Sequence, residues 1–203
     1  MRPIIRIMGG SSVRSFRLNE PFSLVVSLFI RDAYRIPAGA GVPQLSPPVP
    51  AIPAATDVTP DVARQWQEWW DELLAYEGER RASAVPVTPR GTRPKIDETR
   101  YPELSLLVRE AWDSAMSYAH QRAREAADLF REMGPASAGS VEREFLVRRR
   151  ILKFRHQQAD AGVTVIPVGG PLAMPQSRCH LLLSRLSYAD RTAYRTALGS
   201  MLL

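Results

Sequence analysis

The feature that most constrains how this chain folds is its C-terminal third, residues 141–203, which reads as helix, strand, strand, helix. From Val141 to His156 apolar residues recur at helical spacing on two faces. Val141, Phe145 and Leu152 share one, and Val147, Ile151 and Phe154 another. A helix with two apolar stripes needs neighbours on both sides, which predicts a central helix with a sheet on one flank and a second helix on the other. Gly162 suits the left-handed turn that ends such a helix. The following run, Val163 to Val168, is rich in β-branched residues and predicts a strand. Pro167 cannot donate to a ladder, so it belongs at an edge, a bulge or the strand end. Cys179 to Ser184 is a second strand. Asp190 or Ser187 suits the cap of a last helix that turns Tyr194, Ala197, Leu198 and Met201 inward.

Upstream, Pro3–Met8 and Ser11–Leu18 flank Gly9-Gly10 and predict a hairpin. After Asn19, a suitable cap, Ser23, Ser27, Arg31 and Arg35 recur every four residues in an otherwise apolar run. This pattern predicts a mostly buried helix with one narrow wet stripe. Two connectors interrupt the chain. Residues 36–58 form a Pro-rich connector, with six prolines between Pro37 and Pro53, expected to run as extended polyproline II across the surface. Its Pro47, Pro50 and Pro53 match a PxxP spacing, although a plain connector is the commoner reason for such a run. Residues 79–100 form a charged, Pro-containing connector, where mobility and proteolysis are expected. Between the two, Thr59-Pro60-Asp61 starts a helix that Gly78 should end, and Tyr101 to Met133 forms one long helix with an alanine-rich face. The double-faced helix at Val141 is its natural antiparallel partner.

With 203 residues, 45% of them hydrophobic, the chain is long enough for one sizeable core, and we read 1–203 as a single domain. The expected fold class is α+β: a small mixed or antiparallel sheet, made of the N-terminal hairpin and the two C-terminal strands, covered by about five helices. The net charge of +6 suggests an anionic partner, but the basic residues are spread along the chain and only Lys95 and Lys153 are lysines. Arginine in place of lysine throughout is a codon-bias signature of GC-rich bacterial genomes. A single cysteine, Cys179, excludes an intramolecular disulfide. The apolar run Phe22–Ile30 is too short to span a bilayer, so the expected location is the cytoplasm, with no membrane association.

No stretch carries a catalytic signature. His120, His156 and His180 stand at no metal-ligand spacing with one another or with Cys179, so no metal and no cofactor are expected. Cys179 and His180 point to opposite faces of a strand and cannot activate each other. Cys179 with His156 or His120 as base is the least favoured reading, because a lone cysteine beside an apolar strand is usually a small core residue. Gly169-Gly170-Pro171 and Gly9-Gly10 lack the Gly-Lys-Ser/Thr ending of a phosphate loop.

Two groups remain as binding candidates. Trp66, Trp69 and Trp70, three tryptophans in five residues, are either core filling or an interface anchor, with core the commoner reason for helical spacing. Arg149, Arg150 and Lys153 share one arc of a basic helix, 143–155, and could meet phosphates, although no aromatic side chains interleave to stack on bases. Arg122 is the oddest placement: it projects into an apolar arc, where it snorkels to the surface, pairs with an acid such as Glu110 or Glu125, or holds an anionic ligand. The preferred reading is a non-enzymatic interaction or accessory component of a bacterial assembly, with a protein partner or a second copy bound through the tryptophan helix and the proline segment. The alternative is binding of nucleic acid or another polyanion through the basic helix.

Overall fold

In a computed structural model of the chain, the residues described are 4–7, 14–19, 21–39, 41–53, 58–82, 96–132, 141, 144–145, 161–177 and 180–201. They form strands β1 (Ile4–Ile7), β2 (Arg14–Asn19), β3 (Ala161–Ile166), β4 (Ala173–Ser177) and β5 (His180–Ser184). The helices are α1 (Phe22–Ala33), α2 (Pro60–Ala82), α3 (Pro102–Glu110), α4 (Trp112–Glu132), α5 (Arg185–Ala189) and α6 (Arg191–Ser200). The fold is α+β.

The strands make one mixed sheet in the order β1-β2-β3-β5-β4. The N-terminal hairpin β1/β2 is antiparallel, β2 joins β3 in parallel, β3 joins β5 in parallel, and β4 closes the far edge antiparallel to β5. The C-terminal part of the chain therefore supplies three strands rather than two. The additional one, β4, has alternating exposed and half-buried residues and holds Pro175 on the sheet edge, where a missing N–H costs little. Pro167 falls immediately after β3, one of the places expected for it.

Both faces of the sheet's β3–β5 centre are covered. Register pairs Val163 with Leu181 and Val165 with Leu183, and these four side chains pack with Tyr188, Tyr194, Leu198 and Met201 of the C-terminal helices and with Val141 and Phe145. Ile166 and Leu182, on the opposite side, join a larger cluster built from α1, α2 and α3 with Ala111, Ala115 and Ala119 of the α3–α4 segment. A strand covered on both faces has no wet side, which is why all five residues of β5 are buried. Asp190 caps α6, accepting from the N–H groups of Thr192 and Ala193, and the four inward residues expected on that helix are buried.

Several local expectations are corrected. Asn19 ends β2 and caps nothing; Pro21 stands at the start of α1, and no side chain caps it. α2 runs through Gly78 to Ala82, because glycine inside a helix costs only about 1 kcal/mol and forces no stop. The long helix after Tyr101 is interrupted at Ala111. Among the described residues α4 lies against α1, with Ala115 and Ala119 buried in the cluster that holds α1; the helix expected from Val141 is described only at Val141, Glu144 and Phe145, so its pairing with α4 lies outside the described residues. Alanines let the α1 backbone approach, which is what its bulky face of Leu24, Val25, Leu28 and Phe29 requires. No helix among the described residues is long and apolar enough to cross a membrane.

Candidate functional site

The last turn of α1 builds a surface feature with a well-defined hydrogen-bond pattern. The Arg31-Asp32-Ala33-Tyr34-Arg35-Ile36 segment ends the helix with a paired turn. Ile36 N–H donates to the Arg31 carbonyl at 2.8 Å and Arg35 N–H to the Asp32 carbonyl at 3.3 Å. Such a turn needs a left-handed residue, usually glycine, and Arg35 takes it with φ 54°. The chain is thereby reversed toward α2.

The proline-rich segment that follows does run along the surface, with Pro37, Pro47, Pro48, Pro50 and Pro53 exposed, but it is not loose. Ile36, Val42 and Leu45 are buried, with Val49 and Ile52 packed against the same core, so apolar residues between the prolines pull the segment down onto the helices. Its buried backbone groups then need partners. Arg31 supplies two, donating to the carbonyls of Val42 at 2.9 Å and Pro43 at 2.8 Å, while its Nε donates to Asp32 at 2.7 Å. The second oxygen of Asp32 accepts from Leu45 N–H at 2.6 Å. The stripe of Ser27 and Arg31 that reads as wet is therefore dry: Ser27 is fully buried and Arg31 is 4% exposed.

Other elements fasten the same strap. Tyr118 of α4 donates to the Pro47 carbonyl at 2.8 Å, and Ile52 N–H donates to Ala33. Leu45 bridges Val168, with Ser46 N–H on Pro167 and Gly169 N–H on Gln44, so the strap also grips the segment after β3. Gly39 is demanded by sterics: its φ is +74°, and a Cβ there would lie 2.9 Å from the Trp66 ring. Its N–H donates to Gln67 of α2 at 3.0 Å.

Between strap and α2 lies a cleft of about 980 Å³, edged by Pro37, Pro48 and Ala51 on one side and Ala63, Arg64 and Gln67 on the other. Its floor is the Arg31–Asp32 pair. The three tryptophans named from the sequence stand behind this wall rather than in it. Trp66, Trp69 and Trp70 are 0%, 1% and 3% exposed; Trp66 and Trp70 stack at 5.5 Å, and the Trp66 indole donates to the Ser27 carbonyl at 2.8 Å. They fill the core, and the outer face of the same helix supplies the cleft. Gln65, also buried, reaches across to accept from Leu104 N–H, capping α3, which has no side-chain cap of its own.

Arg122 is buried and paired with Glu125 at 2.7 Å, one of the two acids expected, and it lies 5.1 Å over the Tyr118 ring. Arg185 joins them, donating to Glu125 at 3.2 Å and to the Arg122 carbonyl at 2.6 Å. This arrangement ties α4 to the start of α5. His120 meets Phe22 edge to face, and His180 is buried with its Nε2 at 2.7 Å from the Thr164 hydroxyl. Cys179, His156 and the basic arc of Arg149, Arg150 and Lys153 lie outside the described residues, as do positions 83–95 of the second connector. Sequence reasoning missed Arg31, Asp32, Arg35 and Gly39 as site builders. The available signal was Arg-Asp at the end of an apolar helix, just before a run of proline and glycine. No protein-family model, curated protein or solved structure matches the chain.

Proposed function

We propose that this protein is a non-enzymatic interaction component that holds a segment of a partner protein in the cleft between the proline strap and α2. The observation that supports this reading is the strap itself. Its main chain is fastened to α1, α2, α4 and the segment after β3, so the cleft wall is formed before any partner arrives. A preformed wall spares the ordering entropy that a loose proline-rich segment would lose on binding. The lining mixes small apolar side chains with arginine and glutamine, the composition of a surface that excludes water around a few oriented polar contacts.

Site-specific photo-crosslinking in the native host tests the reading. A crosslinking residue replacing Ala51, in the cleft, should capture one defined partner protein, whereas the same residue replacing exposed Ala75 on α2 should not. Equal capture from both positions, or none from Ala51, sinks the proposal.

A further inference from the structure

The cleft reading leaves open what chemistry the partner must bring, and the charges on the lining narrow it. Three arginines and one aspartate line the cleft. Arg31 and Asp32 neutralise each other, and both terminal nitrogens of Arg31 donate to the strap, one to Val42 and one to Pro43. Arg64 lies between Asp61 at 2.6 Å and Glu68 at 2.7 Å. Arg35 alone among the four lining charges makes no ion pair with the described residues, and it is exposed.

Its backbone sharpens the point. Arg35 occupies the left-handed position of the α1 terminus, where glycine would be free of the Cβ penalty that every other L-residue meets. Its proximity to the negative end of the α1 dipole offsets part of that penalty, but Arg31 in the last turn already serves that end. A long cation is thus held, at a conformational cost, at a cleft with small apolar walls whose other two arginines are already met by carboxylates.

We infer that Arg35 is the anchor for a carboxylate, and that the segment held in the cleft is an acidic one: an Asp or Glu side chain flanked by small apolar residues or proline. This inference rests on the proposed function above and specifies its ligand class. The guanidinium supplies a forked pair of donors matched to a carboxylate, and Pro37, Pro48, Ala51 and Ala63 receive the apolar flanks.

The test uses the full chain, isotopically labelled, and two pools of blocked octapeptides randomised over Ala, Val and Pro. One pool has Glu fixed at the fourth position and the other Gln. The readout is the shift of the Gly39, Val42, Leu45 and Gln67 amides. The Glu pool should shift these amides at concentrations about tenfold or more below those the Gln pool needs, and Arg35→Gly should weaken the Glu pool by a similar factor while Arg35→Lys keeps part of it. Because glycine relieves the left-handed strain, Arg35→Gly remains folded, and its unfolding midpoint confirms this independently. Equal effects of the two pools, or undiminished binding by Arg35→Gly, overturn the carboxylate anchor and leave the cleft as a protein-binding site. No shift from either pool, together with no crosslink from Ala51, overturns both readings. Shifts of the same amides caused by single-stranded DNA, or by raising the concentration of the chain alone, assign the cleft to another occupant and overturn the inference.

Discussion

Arg31 joins the end of α1 to the strap. It is buried, and its guanidinium serves Asp32 and two main-chain carbonyls of the strap. Removing one partner of a buried ion pair leaves the other charged and dry, at a cost of about 3–5 kcal/mol. Arg31→Met should therefore lower the unfolding free energy by about that amount in urea titrations, and the double change Arg31→Met/Asp32→Leu should recover part of the loss. A loss below about 1 kcal/mol would show that the pair is dispensable. The tyrosines set a second expectation. Burial pushes the Tyr118 phenol up to about 12, against the opposing pull of Arg122 and Arg185. Burial, with Glu72 adding to it, pushes Tyr101 up to about 12 as well. A phenol whose folded pKa lies above its unfolded value of 10.0 favours the folded state fully below that pH and loses the contribution as pH rises toward 12. Urea midpoints should fall between pH 10 and 12, and Tyr118→Phe should make that fall shallower. An unchanged slope would remove Tyr118 from the alkaline transition.

Among the elements, the helix ends separate interactions that decide structure from those that decorate it. Asp190 accepts two N–H groups at the start of α6, so Asp190→Ala should cost about 1 kcal/mol, read as a lowered thermal midpoint, whereas Glu68→Ala should change it little. A larger loss from Glu68→Ala than from Asp190→Ala would reverse this ranking. The Asp190 and Thr59 caps were legible in the sequence because a cap acts on its own next turn: Thr59 accepts from Val62 N–H three residues on. The β-branched run of β3 and the buried face of α6 were legible for the same reason, since periodicity is local, but β3 begins at Ala161 and takes in Gly162, the residue expected to end the preceding helix. β4 was not legible. Met174 to Ser177 carries no β-branched residue, and β4 exists because β5 offers it an edge. The same limit applies to the strap: proline density forbids a helix or a central strand, but it does not say whether the apolar residues between the prolines find a surface to cover.

At the scale of the molecule, two apolar clusters meet across one sheet, and β3 and β5 are its covered centre. The amides of Val163 to Ile166 and Leu181 to Leu183 should be the slowest to exchange with solvent deuterium, and those of β4 distinctly faster. Equal protection in β4 would mean that the edge is covered by more than the described contacts. The sequence by itself determined the α+β class, the ends of several helices, the strands β3 and β5, and the inward face of α6, because these follow from period, propensity and caps that act within a few residues. It offered Glu125 as one of several possible partners of Arg122, and only the structure selects it. Tertiary structure alone decided which helix lies against α4, that the tryptophans point into the core while the other side of their helix faces outward, and that Arg31 and Asp32 close a strap onto α2. Those outcomes depend on groups far apart in the chain. A buried guanidinium must satisfy its donors wherever carbonyls come within reach, and the carbonyls that reach Arg31 lie eleven and twelve residues away, on a segment whose own sequence predicts only an extended run.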